Sequence, residues 1–273
     1  MASLSISRAW EETKARIAVD GKLMAVVAAA LILLPGIVVG VLSPEGAGGN
    51  LGSGLLFTLS SLLGLIGQLA IIRLSIGTAV SVGEAIAHGA RRMPIYLLAV
   101  LIVVLGMFLA LIPIIAIAYA LGAPIESGSE RAFAESPAGA ALMLFYSALV
   151  CFVAIRLLLS SPVASEEPAG ATEILRRSWA LTAGHWWRLF AFIILFFIAA
   201  LVVLFVVDWG ATALAVIPFG AVEPMSLSAL VVAVLSSLVN AGMTMLLAVM
   251  LARIYVQLSG RDSIEVGVPR SGT

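Results

Sequence analysis

Long apolar blocks alternate with short polar ones along this chain, and the spacing inside each block predicts helices. Over residues 3–19, Ile6, Trp10, Thr13 and Ile17 share one helical face, and Glu12 is set to pair with Arg16. That pattern predicts an amphipathic helix lying at a membrane interface and ended by Asp20-Gly21. Apolar runs then predict six spanning helices over 23–42, 55–76, 95–121, 138–160, 189–207 and 227–258. Kinks are expected at Pro35 and Pro113. Gly36 and Gly40 form a small-residue face suited to close helix packing. Residues 82–92 read as a weakly amphipathic segment, and Pro94 opens the third span. Residues 43–54, 122–137 and 208–224 read as loops. The second of these is acidic, with Glu126, Glu130 and Glu135 against Arg131.

The tract from 165 to 207 combines both patterns. Ala171, Ile174, Leu175, Ser178, Leu181 and Thr182 fall on one face, with Arg176 and Arg177 off it, so 171–183 reads as an interfacial helix. Gly184 is its stop. Trp186, Trp187 and Arg188 are headgroup-level anchors, as are Trp10 and Trp179. No charge follows from Leu189 to Val207, where the chain enters lipid. The block formed by Pro162, Glu166, Arg176, Arg177, Ser178, Trp179, Leu181, Thr182, Gly184, Trp186, Trp187 and Arg188, preceded by Ile155-Arg156-Leu157, resembles the membrane domain in front of some bacterial glycerophosphoryl diester phosphodiesterases. It is similar also to uncharacterised multi-pass proteins of the YciC type. The resemblance implies a multi-pass helical membrane domain of poorly defined role.

Composition agrees with this class. Hydrophobic residues make up 62% and charged residues 11%, against roughly 45–50% and 25% in soluble domains. The fold class is therefore all-α and integral to the membrane, with six transmembrane helices and short amphipathic interfacial helices. Residues 1–22 form the cytoplasmic interfacial helix, 23–259 the six-span domain and 260–273 a polar cytoplasmic tail. The first apolar run is too long, and its leader too extended, for a signal peptide, so it reads as a retained span. Of 15 Lys and Arg, all but Arg131 fall on the side of the N-terminus. That asymmetry places both termini in the cytoplasm of a bacterial inner membrane. With a formal net charge of zero there is no basic domain to bind nucleic acid. The single cysteine, Cys151, sits in an apolar run as a packing residue.

The second, fourth and sixth spans end alike, in Ile72-Arg73-Leu74, Ile155-Arg156-Leu157 and Ala252-Arg253-Ile254. Arg8-x-Trp10-x-x-Thr13 also matches Arg177-x-Trp179-x-x-Thr182. These matches suggest a threefold parallel repeat of interfacial helix, outward span and inward span. Two readings stand for Arg73, Arg156 and Arg253. They either anchor the helices by snorkelling, pairing with lipid phosphate or with Glu84, Glu166 or Glu173, or they form a ring that holds an anionic headgroup or solute. Polar stripes run along two spans: Ser60, Gly64 and Gln68 on the second, and Ser236, Asn240 and Thr244 on the sixth. They form either an interhelical hydrogen-bond seam or the wall of a polar cavity.

His88 and His185 read as headgroup-level polar residues, and Glu166-Glu167 as a solvated turn beside Pro168. No metal-ligand spacing, nucleophile elbow, P-loop or dinucleotide fingerprint occurs. No cofactor is expected. A phosphodiesterase barrel takes roughly 250 residues beyond such a membrane region, so hydrolysis is not carried over from the resemblance. The reading is a non-enzymatic protein that associates with membrane lipids or a membrane protein partner. The alternative is a transporter or channel for a small solute. In a Cys151-free variant, a cysteine placed at Gly48 is expected to react with an impermeant label from outside the cell. Labelling from the cytoplasmic side alone would reverse the orientation.

Overall fold

A computed structural model describes residues 4–44, 51–77, 80–121 and 136–260. Among these residues the secondary structure is entirely helical. Six helical stretches are long and apolar enough to cross a membrane. Arg131, with Glu126, Glu130 and Glu135 of the acidic loop, lies outside the described residues, as do Gly48 and the tail from 261 onward.

The first rod comprises α1 (Ile6–Ala28), a π-helical turn (Ala29–Leu33) and α2 (Leu34–Leu42). Ser5 caps it, its hydroxyl accepting from the Arg8 amide. Contrary to expectation, the helix runs through Asp20-Gly21. Asp20 is taken by Arg16, four residues earlier, at 3.1 Å, and an unbroken helix keeps its backbone groups paired on entering apolar surroundings. Glu12 pairs with Arg8 at 2.6 Å rather than with Arg16. The π turn directly precedes Pro35, whose ring and missing N–H disturb the ladder one turn back.

The second rod is α3 (Leu51–Ile76) and the third is α4 (Val82–Ala120). A reciprocal capping box between Ser81 and Glu84 starts α4. Here too the expected division is absent: residues 82–92 and the third span form one helix with Pro94 and Pro113 inside it. α5 (Pro137–Arg156) opens on Ser136 and Pro137 and ends four residues earlier than the expected span. The chain turns at 157–159 into a seven-residue helix, α6 (Ser160–Glu166), with Ser161 to Ser165 all buried. α7 (Ala171–Thr182) is the separate short helix foreseen between Gly170 and Gly184, and it buries Ile174, Ser178 and Thr182 of the expected face.

α8 (Trp186–Phe219) continues through Asp208, where a loop was expected. The Asp208 carboxylate accepts from the Ser236 hydroxyl at 3.1 Å, and Gly220, at φ 85°, ends the helix instead. α9 (Leu227–Ser259) runs from an N-cap at Ser226 to a left-handed Gly260. It packs against α1, α2, α3 and α8 and touches α6 and α7, so it is the central post of the bundle. The three sequence units keep their arginine ends but are joined differently. Only the third has a break between its interfacial helix and its span.

The core gathers at the arginine end. Leu69, Leu159, Val163, Ile174, Leu189, Ile254 and Tyr255 are fully enclosed in one cluster, with Met24, Val27, Ile71, Ile72 and Val249 in a second beside it. Small residues let the rods approach: Gly36 and Gly40 of α2 face Ser237 and Ala233 of α9. Away from this end, α4 and α8 present mostly exposed apolar side chains, as surfaces that face lipid do.

Gly89 marks the tightest crossing of α4 on α3. A Cβ there would meet the Ile66 carbonyl oxygen at 2.7 Å and the Ala70 nitrogen at 3.3 Å. Gly89→Ala is expected to cost about 1–3 kcal/mol by forcing backbone apart. Gly83→Ala, with nothing within 4 Å, is expected to leave thermal unfolding in detergent unchanged.

Candidate functional site

Arginines and acids meet at the packed end, where α3, α5 and α9 finish. Arg73, in the last turn of α3, donates to Glu166 at 2.9 Å, and the Glu166 side chain is only 4% exposed. The Ser165 hydroxyl donates to the Leu69 carbonyl of α3 at 3.3 Å, and His88 Nε2 of α4 meets the Ser165 carbonyl at 2.6 Å. Glu167 Oε1 accepts from Tyr255 of α9 at 2.8 Å and from Arg177 of α7 at 3.2 Å. Glu166-Glu167 is therefore not a solvated turn. Burial of α6 carries the acidic pair into the bundle, where ionised groups must find charge partners and hydrogen-bond donors.

Arg253 has a different task. Its Nη2 donates to the Ser75 carbonyl at the end of α3. Arg16 reaches the same helix end, donating to the Leu74 and Gly77 carbonyls at 3.1 and 2.6 Å. Two guanidiniums thus cap the C-terminus of α3, satisfying carbonyls left over by the helix and complementing its dipole. Helical spacing in the sequence pairs Arg16 with Glu12 and misses this role, because its targets lie far along the chain and are backbone atoms.

Arg156 is placed unlike the other two. Its own carbonyl accepts from the Ser178 and Thr182 hydroxyls at 3.1 and 3.0 Å, so α7 closes the end of α5. Its guanidinium carbon lies 5.4 Å from the Phe152 ring centre and 5.2 Å from that of Trp179, within cation–π range. Nε and Nη1 are buried without a hydrogen-bond partner, and the group forms no ion pair among the described residues. Trp186 lies 5.9 Å from Phe152 and stacks on Phe190, and its indole N–H is likewise buried and unpartnered. The Nδ1 of the neighbouring His185 is in the same position.

Around this end, Trp10, Trp179 and Trp187 are exposed, and Arg188 donates to the Leu4 carbonyl at 3.1 Å. Arg176, outside the spans, is held further up from its already high pKa by its hydrogen bond to Glu173 and by that group's charge. Among the described residues no three histidine, cysteine or acidic side chains gather closely enough to hold a metal ion.

The polar stripes part company. Ser236, Asn240 and Thr244 line a cavity of about 880 Å³ between α8 and α9. Ser60 lines a separate groove of about 320 Å³ between α2 and α3. Gln68 is half-buried on α3. Asp208, read from the sequence as the start of a loop, joins the first cavity.

The fold and its charged end define a multi-pass α-helical membrane protein. The chain belongs to the DUF7847 family, a domain of unknown function whose match covers residues 5–258. No curated protein and no solved structure matches it.

Arg73→Gln removes the charge partner of a buried carboxylate. Breaking fully buried pairs costs about 3–5 kcal/mol. Arg73 is one-third exposed at 34%, so a loss of roughly 2–3 kcal/mol is expected. Unfolding in detergent should register it. A loss below about 1 kcal/mol would mean that the pair contributes no more than a surface bridge.

Proposed function

We propose that this protein is a non-enzymatic lipid-associating component of a bacterial inner membrane, with both termini cytoplasmic, and that Arg156 receives the phosphate of an anionic lipid headgroup. One observation carries the reading. Of the three arginines that end inward-running spans, Arg73 pairs with Glu166 and Arg253 donates to a helix terminus, whereas Arg156 forms no ion pair among the described residues, lies against the Phe152 and Trp179 rings, and has Nε and Nη1 without a hydrogen-bond partner. An ionised group costs too much to leave unmatched near apolar surroundings. Its position beside Trp179 and Trp186, which are headgroup-level residues by type, favours a partner from the lipid. Guanidinium binds phosphate in a bidentate manner, and the indole N–H supplies a further neutral donor. The basic asymmetry of the sequence supports the orientation, since the cytoplasmic leaflet carries the anionic surface that attracts such groups. On this reading, the tract resembling phosphodiesterase membrane domains is a headgroup clamp and no part of a catalytic apparatus.

Arg156→Gln is expected to lower anionic phospholipid co-purifying per folded protein by roughly fivefold, the equivalent of about 1 kcal/mol for one basic group at such a surface. Arg156→Lys should restore only part of it, because an ammonium lacks the planar fork. Unchanged lipid content in Arg156→Gln, quantified by mass spectrometry of extracted lipid, would refute the assignment.

A further inference from the structure

The cavity between α8 and α9 lies away from the arginine end and has its own chemistry. On α8 its wall is apolar, with Phe196, Leu201 and Phe205; on α9, Met243 and Leu247 continue this surface. Along α9, Ser236, Asn240 and Thr244 descend in a line at intervals of four residues. At the mouth stands Asp208, roughly 33 Å along α8 from Trp186 at about 1.5 Å per residue. That distance matches the thickness of a bilayer's hydrocarbon core, roughly 30 Å, so the carboxylate sits near the opposite headgroup layer.

Two features ask for a ligand. Asp208 forms no ion pair among the described residues, and its recorded hydrogen bond is to Ser236. Asn240 is exposed, halfway down a helix flanked by apolar side chains. A carboxamide facing hydrocarbon is costly, and such residues within spans mark binding sites, while the carboxylate at headgroup level is left open to a polar head. The volume, about 880 Å³, lies in the range of small-molecule pockets, which combine apolar lining with a few placed polar groups. The polarity is graded. The charge lies toward one end, the amide and hydroxyl are partway along one wall, and Phe196 and Leu247 line the other end.

We propose that this cavity binds a long-chain amphiphile entering from the leaflet opposite the arginine end, with an amine or hydroxyl head donating to Asp208 and its tail lying against the phenylalanines of α8. The acidic mouth selects against anionic heads, since a ligand carboxylate would face a like charge. Asn240 and Thr244 meet polar atoms at the top of the tail. Leu247 and Phe196 set how deep the tail reaches.

Native mass spectrometry of the detergent-purified protein with hexadecylamine, hexadecanol or hexadecanoate tests this. The amine and the alcohol are expected to give a saturable one-to-one adduct, with the amine at least tenfold tighter than the carboxylate. Asp208→Asn should erase that preference. Leu201→Trp, at an exposed position whose larger ring fills the cavity, should abolish the adduct without unfolding the protein. Equal binding of all three probes that survives Leu201→Trp would overturn the proposal. So would a disulfide-linked dimer through Asn240→Cys in a Cys151→Ala background, because a second copy of the chain would then cover the cavity.

Discussion

Two adjacent carboxylates, Glu166 and Glu167, are carried into the packed end of the bundle on a helix too short to stand alone. Removing them from water is affordable only where donors converge on them. Arg73 comes from α3, Arg177 from α7 and Tyr255 from α9. The hydroxyl and carbonyl of Ser165 tie the same helix to α3 and α4. Five helices are thereby held in one arrangement by the needs of two side chains. The order of the arginine end follows from that convergence as much as from apolar contact.

Helix termini impose the second demand. Each rod ends with carbonyls that have no intrahelical partner, and near lipid there is little water to satisfy them. Arg16 and Arg253 serve α3, while Ser178 and Thr182 serve α5. Because hydroxyls close α5, its own arginine is not needed as a cap. Arg156 is left between aromatic rings with unused donors. The functional candidate arises from this division of labour between side chains of the same type.

The molecule is consequently lopsided. At the arginine end, Gly67 and Gly89 let rods touch, and most of the charged groups find protein partners. At the other end, α8 and α9 border an open cavity. Lipid solvates the apolar faces there as well as protein would, so nothing drives those helices together. Polar atoms such as Asp208 and Asn240 are what distinguish that space from an ordinary lipid-facing groove.

Hydropathy made much of this legible without coordinates. The six apolar rods, the ends of α3 and α9 and the buried face of α7 all follow from local rules, since a bilayer demands long apolar runs and a helix satisfies its backbone within itself. The joins did not follow. Asp20-Gly21, Pro94 and Asp208 looked like boundaries, yet the helix continues through each. Whether a helix stops depends on whether the freed backbone groups find partners elsewhere, and those partners belong to other helices. The choice of ion pairs was equally hidden. Glu166 stood among three candidate acids for the three arginines, but it lies 93 residues from Arg73, and nothing in either neighbourhood says which acid takes which base. Sequence alone determined which segments enter the membrane. Tertiary packing decided which of three similar arginines would go without an acidic or helix-end partner, because only packing assigns such partners to the other two.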